Sequence, residues 1–300
     1  METRQTQVTQ EPAKLRVAAV QMKSRPTIEE NLAAIERALD VAVRRRADVV
    51  LFPECAVTSY VYDFDRLRSV TIREALDRVC QMASTRSVNV LVGSPVFRGR
   101  RLYNCVVVIN REGQITHCYA KCQLTPRDTR WFAPGNAIAL FDVEGVQATA
   151  IICHERRYPE LVRLAVMAGA RIVFHPNAGL DPLPVSRKKR GGRDGIPARA
   201  FENAVYYVFA NTVGPQPEGK WSAGDSKIVA PDERVLALAD NETESVLAAT
   251  LDLAKASRVY AERGLRRPEF LRSSWKAMIE AVRRQAGKAA LSFSLPNKKR

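Results

Sequence analysis

Apolar positions along the chain repeat with two alternating periods. Residues 15–22 are a short, nearly continuous apolar run and read as a buried strand. Thr27 and Glu30 then form a capping box. It opens a helix in which Leu32, Ile35, Leu39 and Val43 recur at helical spacing. Residues 47–53 read as a second strand, 72–84 as a helix and 88–92 as a third strand. This β-α-β-α-β start points to a layered α/β architecture. The pattern then changes. Residues 102–110 and 115–121 flank the turn Arg111-Glu112-Gly113 as a hairpin, and 138–143 and 147–153 flank Glu144-Gly145 as another. A helix over 159–168 feeds a strand at 171–175, and 197–203 is helical. Strands at 205–210, 226–230, 235–239 and 246–251 complete a second strand-rich half.

No Gly-, Ser- or Pro-rich linker divides the two halves, so two packed sheets flanked by helices are expected within one domain over 15–270. Residues 1–14 read as a flexible tail. Residues 271–300 read as a C-terminal helix and tail, with Trp275, Met278, Ile279 and Val282 on one helix face. That segment either packs on a partner subunit or is disordered.

With 300 residues, 46% of them apolar and 26% charged, the chain can bury a substantial core. No apolar stretch is long enough to span a bilayer and the first residues are polar, so a cytoplasmic protein without membrane partners is expected. The six cysteines lack C-x-x-C spacing, which argues against a zinc site or redox motif. Cys55, Cys105 and Cys122 read as core residues. The net charge of +15 raises the question of nucleic acid. Its clusters, at Arg44-Arg45-Arg46, Arg187-Lys188-Lys189-Arg190 and Lys298-Lys299-Arg300, are scattered and carry no nucleic-acid motif. Solvated surface is the expected reading, with attraction of anionic substrates as a second role.

Three segments carry candidate chemistry. The apolar run 149–152 ends in Cys153 and a helix follows almost at once, as in a strand-to-helix elbow that lifts a side chain into a cleft. Residues 49–53 end in Glu54, and Cys118-Tyr119-Ala120 ends in Lys121. A thiol, a carboxylate and an amine suffice for covalent acyl transfer. Singly, each has a simpler reading: a core thiol, a cap or ion-pair carboxylate, a surface amine.

Together these segments resemble the nitrilase superfamily of carbon–nitrogen hydrolases. The matching pieces are Val20-Gln21, Phe52-Pro53-Glu54, Tyr119-Ala120-Lys121, Phe132-Ala133-Pro134-Gly135, Ile152-Cys153 with Tyr158-Pro159-Glu160, Arg199-Ala200-Phe201-Glu202-Asn203, Gly224-Asp225-Ser226 and Leu251-Asp252. The resemblance spans residues 15–255 and implies a four-layer α-β-β-α sandwich, assembled as a homodimer or higher homo-oligomer. It carries over Glu54, Lys121 and Cys153 as the catalytic set. Asp128 falls where the family usually has a glutamate, one methylene longer.

In that set Cys153 is the nucleophile and Glu54 the base that takes its proton. Lys121 stabilises the oxyanion, together with the backbone N–H of His154. No metal or organic cofactor is required, and His117, His154 and His175 form no metal-binding pattern. Cys153-His154-Glu155-Arg156-Arg157-Tyr158-Pro159-Glu160 is similar to the corresponding stretch of N-carbamoyl-D-amino-acid amidohydrolases, in which the arginine pair holds a substrate carboxylate. Aliphatic amidases are the other branch the pattern suggests. Arg156 and Arg157 could instead form salt bridges with Glu155 or Glu160. Asn177 joins His154, Arg156 and Arg157 in the candidate oxyanion and substrate-binding set. The expected activity is hydrolysis of a small amide or N-carbamoyl compound bearing a carboxylate. A nitrilase acting on a C≡N bond and a basic binding protein that keeps a hydrolase fold are the alternatives. Residues 179–195 are expected to form a loop near the cleft.

Overall fold

The computed structural model describes residues 12–60, 63–189 and 195–291. The first half consists of β1 (Lys14–Gln21), α1 (Ile28–Arg44), β2 (Val49–Leu51), α2 (Ser69–Arg86), β3 (Asn89–Arg98), β4 (Arg101–Ile109) and β5 (Ile115–Ala120). The second half begins with β6 (Phe141–Val143), β7 (Val146–Ala150), α3 (Pro159–Ala168) and β8 (Ile172–Asn177). β9 (Asp181–Pro182), α4 (Leu183–Arg187), α5 (Ile196–Asn203), β10 (Tyr206–Asn211), β11 (Val213–Gln216) and β12 (Lys220–Ala223) follow. The remaining elements are β13 (Lys227–Val229), β14 (Val235–Leu238), β15 (Ser245–Asp252), α6 (Val259–Gly264) and α7 (Arg272–Leu291).

The strands form two six-stranded sheets, ordered β15-β1-β2-β3-β4-β5 and β14-β13-β10-β8-β7-β6, and a small sheet β11-β12-β9. β1, β2 and β3 are parallel, as are β7, β8 and β10, while the hairpin strands at the edges are antiparallel. β15 crosses back to pair with the whole of β1, from Lys14 opposite Asp252 to Gln21 opposite Ser245. The last strand of the second half therefore closes the first sheet.

Strand alternation explains the layers. Ala18, Val20, Val50 and Val90 point to α1 and α2, whereas Val17, Ala19, Leu51 and Leu91 point to the other sheet. In β8 and β10, Phe174 and Val208 meet the first sheet, whereas Val173, Tyr207 and Phe209 meet α3, α5 and α7. Three apolar interfaces therefore separate four layers, the expected α-β-β-α sandwich.

The structure also departs from the pattern reading. β3 runs on to Arg98 because its second half pairs with β4. The segment 179–195 is not simply a loop. It holds β9 and α4, and residues 190–194 lie outside the described residues. Met278, expected on the apolar face of the last helix, is exposed, while Ile279 and Val282 are buried against the α3 layer. The helix itself runs from Arg272 to Leu291. Residues 1–11 and 292–300, including the basic cluster at the C-terminus, lie outside the described residues.

Candidate active site

Glu54 follows β2 in a turn that passes through Cys55 at a positive φ of 50°. The turn lies directly against β3 at Gly93, where a Cβ would sit 2.2 Å from the Pro53 carbonyl and 2.7 Å from the Glu54 Cα. The glutamate is buried and both its oxygens are engaged. Oε1 accepts from Lys121 Nζ at 2.9 Å and Asn104 Nδ2 at 2.7 Å, and Oε2 accepts from the Ala178 N–H at 3.0 Å.

Lys121 directly follows β5; its N–H donates to the Asn104 carbonyl and its own carbonyl accepts from the Gly135 N–H. Its ammonium, 1% exposed, lies 2.9 Å from Glu54 and 2.9 Å from Asp128 Oδ2. The shorter side chain of Asp128 thus still reaches the lysine. Tyr60 donates its hydroxyl to Asp128 Oδ1, and the Thr125 N–H donates to Oδ2 at 2.8 Å. Burial, and then the negative charge of Glu54, push the Asp128 carboxyl up to about 7. Burial disfavours the Lys121 ammonium, but the charge and hydrogen bond of Glu54 together with the nearby Cys153 and Glu155 outweigh it and raise the amine above its ordinary value.

Cys153 comes from the other sheet, just beyond β7. It opens a 3-10 turn, Cys153–Arg157, with φ of 50°. Burial pushes its thiol up to about 12, with Glu54's charge adding to the rise and Lys121 opposing it. At neutral pH the sulfur is therefore protonated and attacks only if a base takes the proton. A hydrogen bond to Glu54 contributes to the same shift.

The elbow is held from beneath by Glu155, whose carboxylate is buried. It accepts from the Ile152 N–H (2.7 Å), the Cys122 N–H (2.7 Å), the Gln123 N–H (3.1 Å) and the Tyr119 hydroxyl (2.8 Å). The expected alternative of Glu155 pairing with the arginines is thereby excluded: its oxygens are taken up by the chain on either side of Lys121 and by the residue before Cys153. Among the described residues neither Arg156 nor Arg157 forms an ion pair with Glu160.

Glu54, Lys121, Asp128, Cys153, His154, Arg156, Arg157 and Asn177 all line one cavity of about 320 Å³. Arg156 is half-buried and Arg157 exposed. Two other cations on this wall are neutralised locally, Arg127 by Glu218 and Lys189 by Asp181. Asn177 donates to Asn211 Oδ1 at 2.8 Å, which fixes its amide at the cavity wall. The His154 ring packs against Tyr158. Among the described residues no group of three or more His, Cys, Asp or Glu side chains is arranged to hold a metal ion. Asn104, Tyr60, Glu155 and the Ala178 N–H were not read as site groups from the sequence. The one local signal was a polar residue within an apolar strand (Asn104) or an apolar elbow (Glu155).

A family model described as carbon–nitrogen hydrolase matches residues 16–261. The chain is 29% identical over 219 residues to a 2-oxoglutaramate amidase of Bacillus subtilis (strain 168), covering 72% of this chain and 82% of that one. It is 32% identical over 219 residues to an (R)-stereoselective amidase of a Pseudomonas species, covering 70% and 76%. Among solved structures, an amidase from Nesterenkonia sp. AN1, captured after Michael addition of acrylamide at its active-site cysteine, superposes with a TM-score of 0.74 at 25% identity, covering 87% of this chain and 99% of that one.

Proposed function

The chain belongs to the carbon–nitrogen hydrolase family and hydrolyses carbon–nitrogen bonds, and from that premise we propose that it is a thiol amidohydrolase acting on a small amide or N-carbamoyl compound that carries a carboxylate. The observation that carries this reading is the meeting of Glu54, Lys121 and Cys153, from two different sheets, in one cavity.

The chemistry follows from these groups. Glu54 takes the Cys153 proton as the sulfur attacks the amide carbon, and the carbonyl electrons move onto oxygen. The Lys121 ammonium and the His154 N–H receive that oxyanion. As the second residue of its 3-10 turn, His154 has no acceptor for its N–H within the turn. Collapse of the tetrahedral species breaks the C–N bond, and Glu54 returns its proton to the leaving nitrogen. Glu54 then deprotonates water, which attacks the thioester and releases the acid and the thiol. Asp128, a second carboxylate at the same 2.9 Å from the ammonium as Glu54, helps fix its direction.

Arg156 and Arg157 support the substrate class. Among the described residues they line the cavity without the carboxylate partners that Arg127 and Lys189 have. A guanidinium presents two parallel N–H groups to a carboxylate. The Bacillus subtilis 2-oxoglutaramate amidase is named for a substrate that bears a carboxylate beside its amide.

The test is ammonia release from half-amides of dicarboxylic acids, N-carbamoyl amino acids, neutral amides and nitriles. The wild type is compared with Arg156→Ala and Arg157→Ala. A lost charge-assisted contact costs about 1.5–3 kcal/mol, so at least one variant should raise KM for acidic substrates by about tenfold or more. Neutral amides should change by less than about threefold. Equal effects on both classes would refute the carboxylate reading, and activity confined to nitriles would replace the amidase.

A further inference from the structure

We propose that His175 is a positioning residue for this reaction: it holds the peptide joining Cys153 to His154, and Tyr207 sets which of its nitrogens carries the proton. The inference rests on the reading above, in which the His154 N–H receives the oxyanion.

His175 lies near the end of β8, and its Nε2 is 3.1 Å from the Cys153 carbonyl oxygen. A carbonyl oxygen can only accept, so Nε2 carries the hydrogen. Nδ1 is then the bare nitrogen and accepts from the Tyr207 hydroxyl, 2.9 Å away. The side chain is fully buried, with Phe209 and Tyr207 packed on its ring. Burial holds its protonation down to about 3, so it works as a neutral imidazole throughout the ordinary pH range.

His175 does not line the catalytic cavity. It shares the helix-side face of β8 with Val173, two residues earlier, and so meets the elbow from beneath. Its effect on a substrate must pass through the backbone. A peptide is planar and its C=O and N–H point in opposite directions. Fixing the Cys153 carbonyl on the buried side therefore aims the His154 N–H to the other side. The hydrogen bond also polarises that peptide, which strengthens its N–H as a donor. Cys153 has a left-handed φ of 50°, which a non-glycine residue adopts only when its surroundings hold it there. The bond from His175 is one such restraint, and it falls on the nucleophile's own residue.

The experiment compares the wild type with His175→Leu, His175→Gln and Tyr207→Phe on the best amide found in the panel above, with Cys153→Ala as a control. Three readouts are needed: kcat and KM, the rate of Cys153 alkylation by iodoacetamide, and inhibition by the aldehyde analogue of the amide. The aldehyde carbon bonds to the sulfur, the thiol proton passes to Glu54, and the new alkoxide occupies the oxyanion position. His175→Leu should lower kcat by about 10- to 100-fold and weaken the aldehyde by a similar factor. KM and the alkylation rate should stay within about threefold. His175→Gln, whose amide can donate from the place of Nε2, should recover most of the loss. Tyr207→Phe should lower kcat by about 3- to 10-fold without changing alkylation.

Unchanged kcat in His175→Leu, or alkylation that falls in step with kcat, would overturn the proposal. So would an unmoved aldehyde affinity. If His175→Leu does not fold, unchanged kcat in Tyr207→Phe overturns it equally. Failure of the parent reading looks different: Cys153→Ala would then retain activity.

Discussion

Two buried carboxylates in this protein are satisfied in opposite ways. Glu54 faces an ammonium, whereas Glu155 is held by three backbone N–H groups and a phenol. A carboxylate accepts at both oxygens, but an amide accepts at one and donates at the other. Glu155→Gln therefore turns an NH2 group towards N–H donors, whichever way it is flipped. At least one buried donor loses its partner, at a cost of about 1–3 kcal/mol. Thermal melting should show that loss, and ammonia release should fall because the residues flanking Lys121 and Cys153 are no longer tied together. An unchanged melting temperature would mean that water replaces the carboxylate. Cys153, Glu54 and Lys121 were legible because each terminates an apolar run, a mark that survives without tertiary information. Asn104, Tyr60, Glu155 and His175 were not legible. Asn104 meets Glu54 50 residues away and Glu155 meets Tyr119 36 residues away, so no local spacing reports these contacts.

Strand ends do the positioning, and glycine lets them come close. Gly93 in β3 faces the backbone of Pro53, Glu54 and Cys55 at distances that leave no room for a Cβ. Gly93→Ala should push the Glu54 turn off the strand. Stability should drop by about 2 kcal/mol or more, and kcat should fall further than in an alanine placed at Gly99, where a methyl group would meet nothing within 4 Å. Denaturant titration and ammonia release measure the two effects. An activity loss no larger than that of the Gly99 variant would show that the turn has slack. The long strands and amphipathic helices were legible from their periods. The sheet of β9, β11 and β12 was not: its strands have two to four residues and sit among Gly214, Pro215 and Gly219, which read as loop. Met278 was misplaced because a hydrophobic residue at the margin of a helical stripe looks the same in sequence whether it is covered or not.

At the scale of the molecule, the site exists because two sheets pack face to face. Glu54 and Lys121 come from one and Cys153 from the other, so the apolar layer between the sheets sets their separation. The same burial fixes the acid response of stability. His117 and His175 normally protonate near 6.5, but burial lowers them to about 4 and about 3. Between those values the unfolded chain takes up protons that the folded chain refuses. This stabilisation is full above pH 6.5 and is lost as pH falls. Asp128 runs the other way: its folded carboxyl is raised from 3.8 to about 7, so its contribution is present at low pH and lost as pH rises. Glu155, also raised by burial, adds to that opposing side. Below pH 6.5 the two histidines lower stability and the two carboxyls raise it, so His117→Leu should remove an acid sensitivity of about 3 kcal/mol between pH 6.5 and about 4. Denaturant titrations of the wild type and His117→Leu should diverge across that range, the variant gaining stability relative to the wild type as pH falls. A stability difference between the two that does not change with pH would contradict a neutral buried His117.

Rapid-quench peptide mass spectrometry of the protein mixed with its best amide, beside Cys153→Ala and Glu54→Gln, tests whether Cys153 is the nucleophile. An acyl group should form on the Cys153 peptide in step with the first equivalent of released ammonia. Neither acyl group nor ammonia should form in Cys153→Ala, and the burst should be strongly slowed in Glu54→Gln. Ammonia released without acylation of Cys153, or acyl found on another residue, would contradict that role.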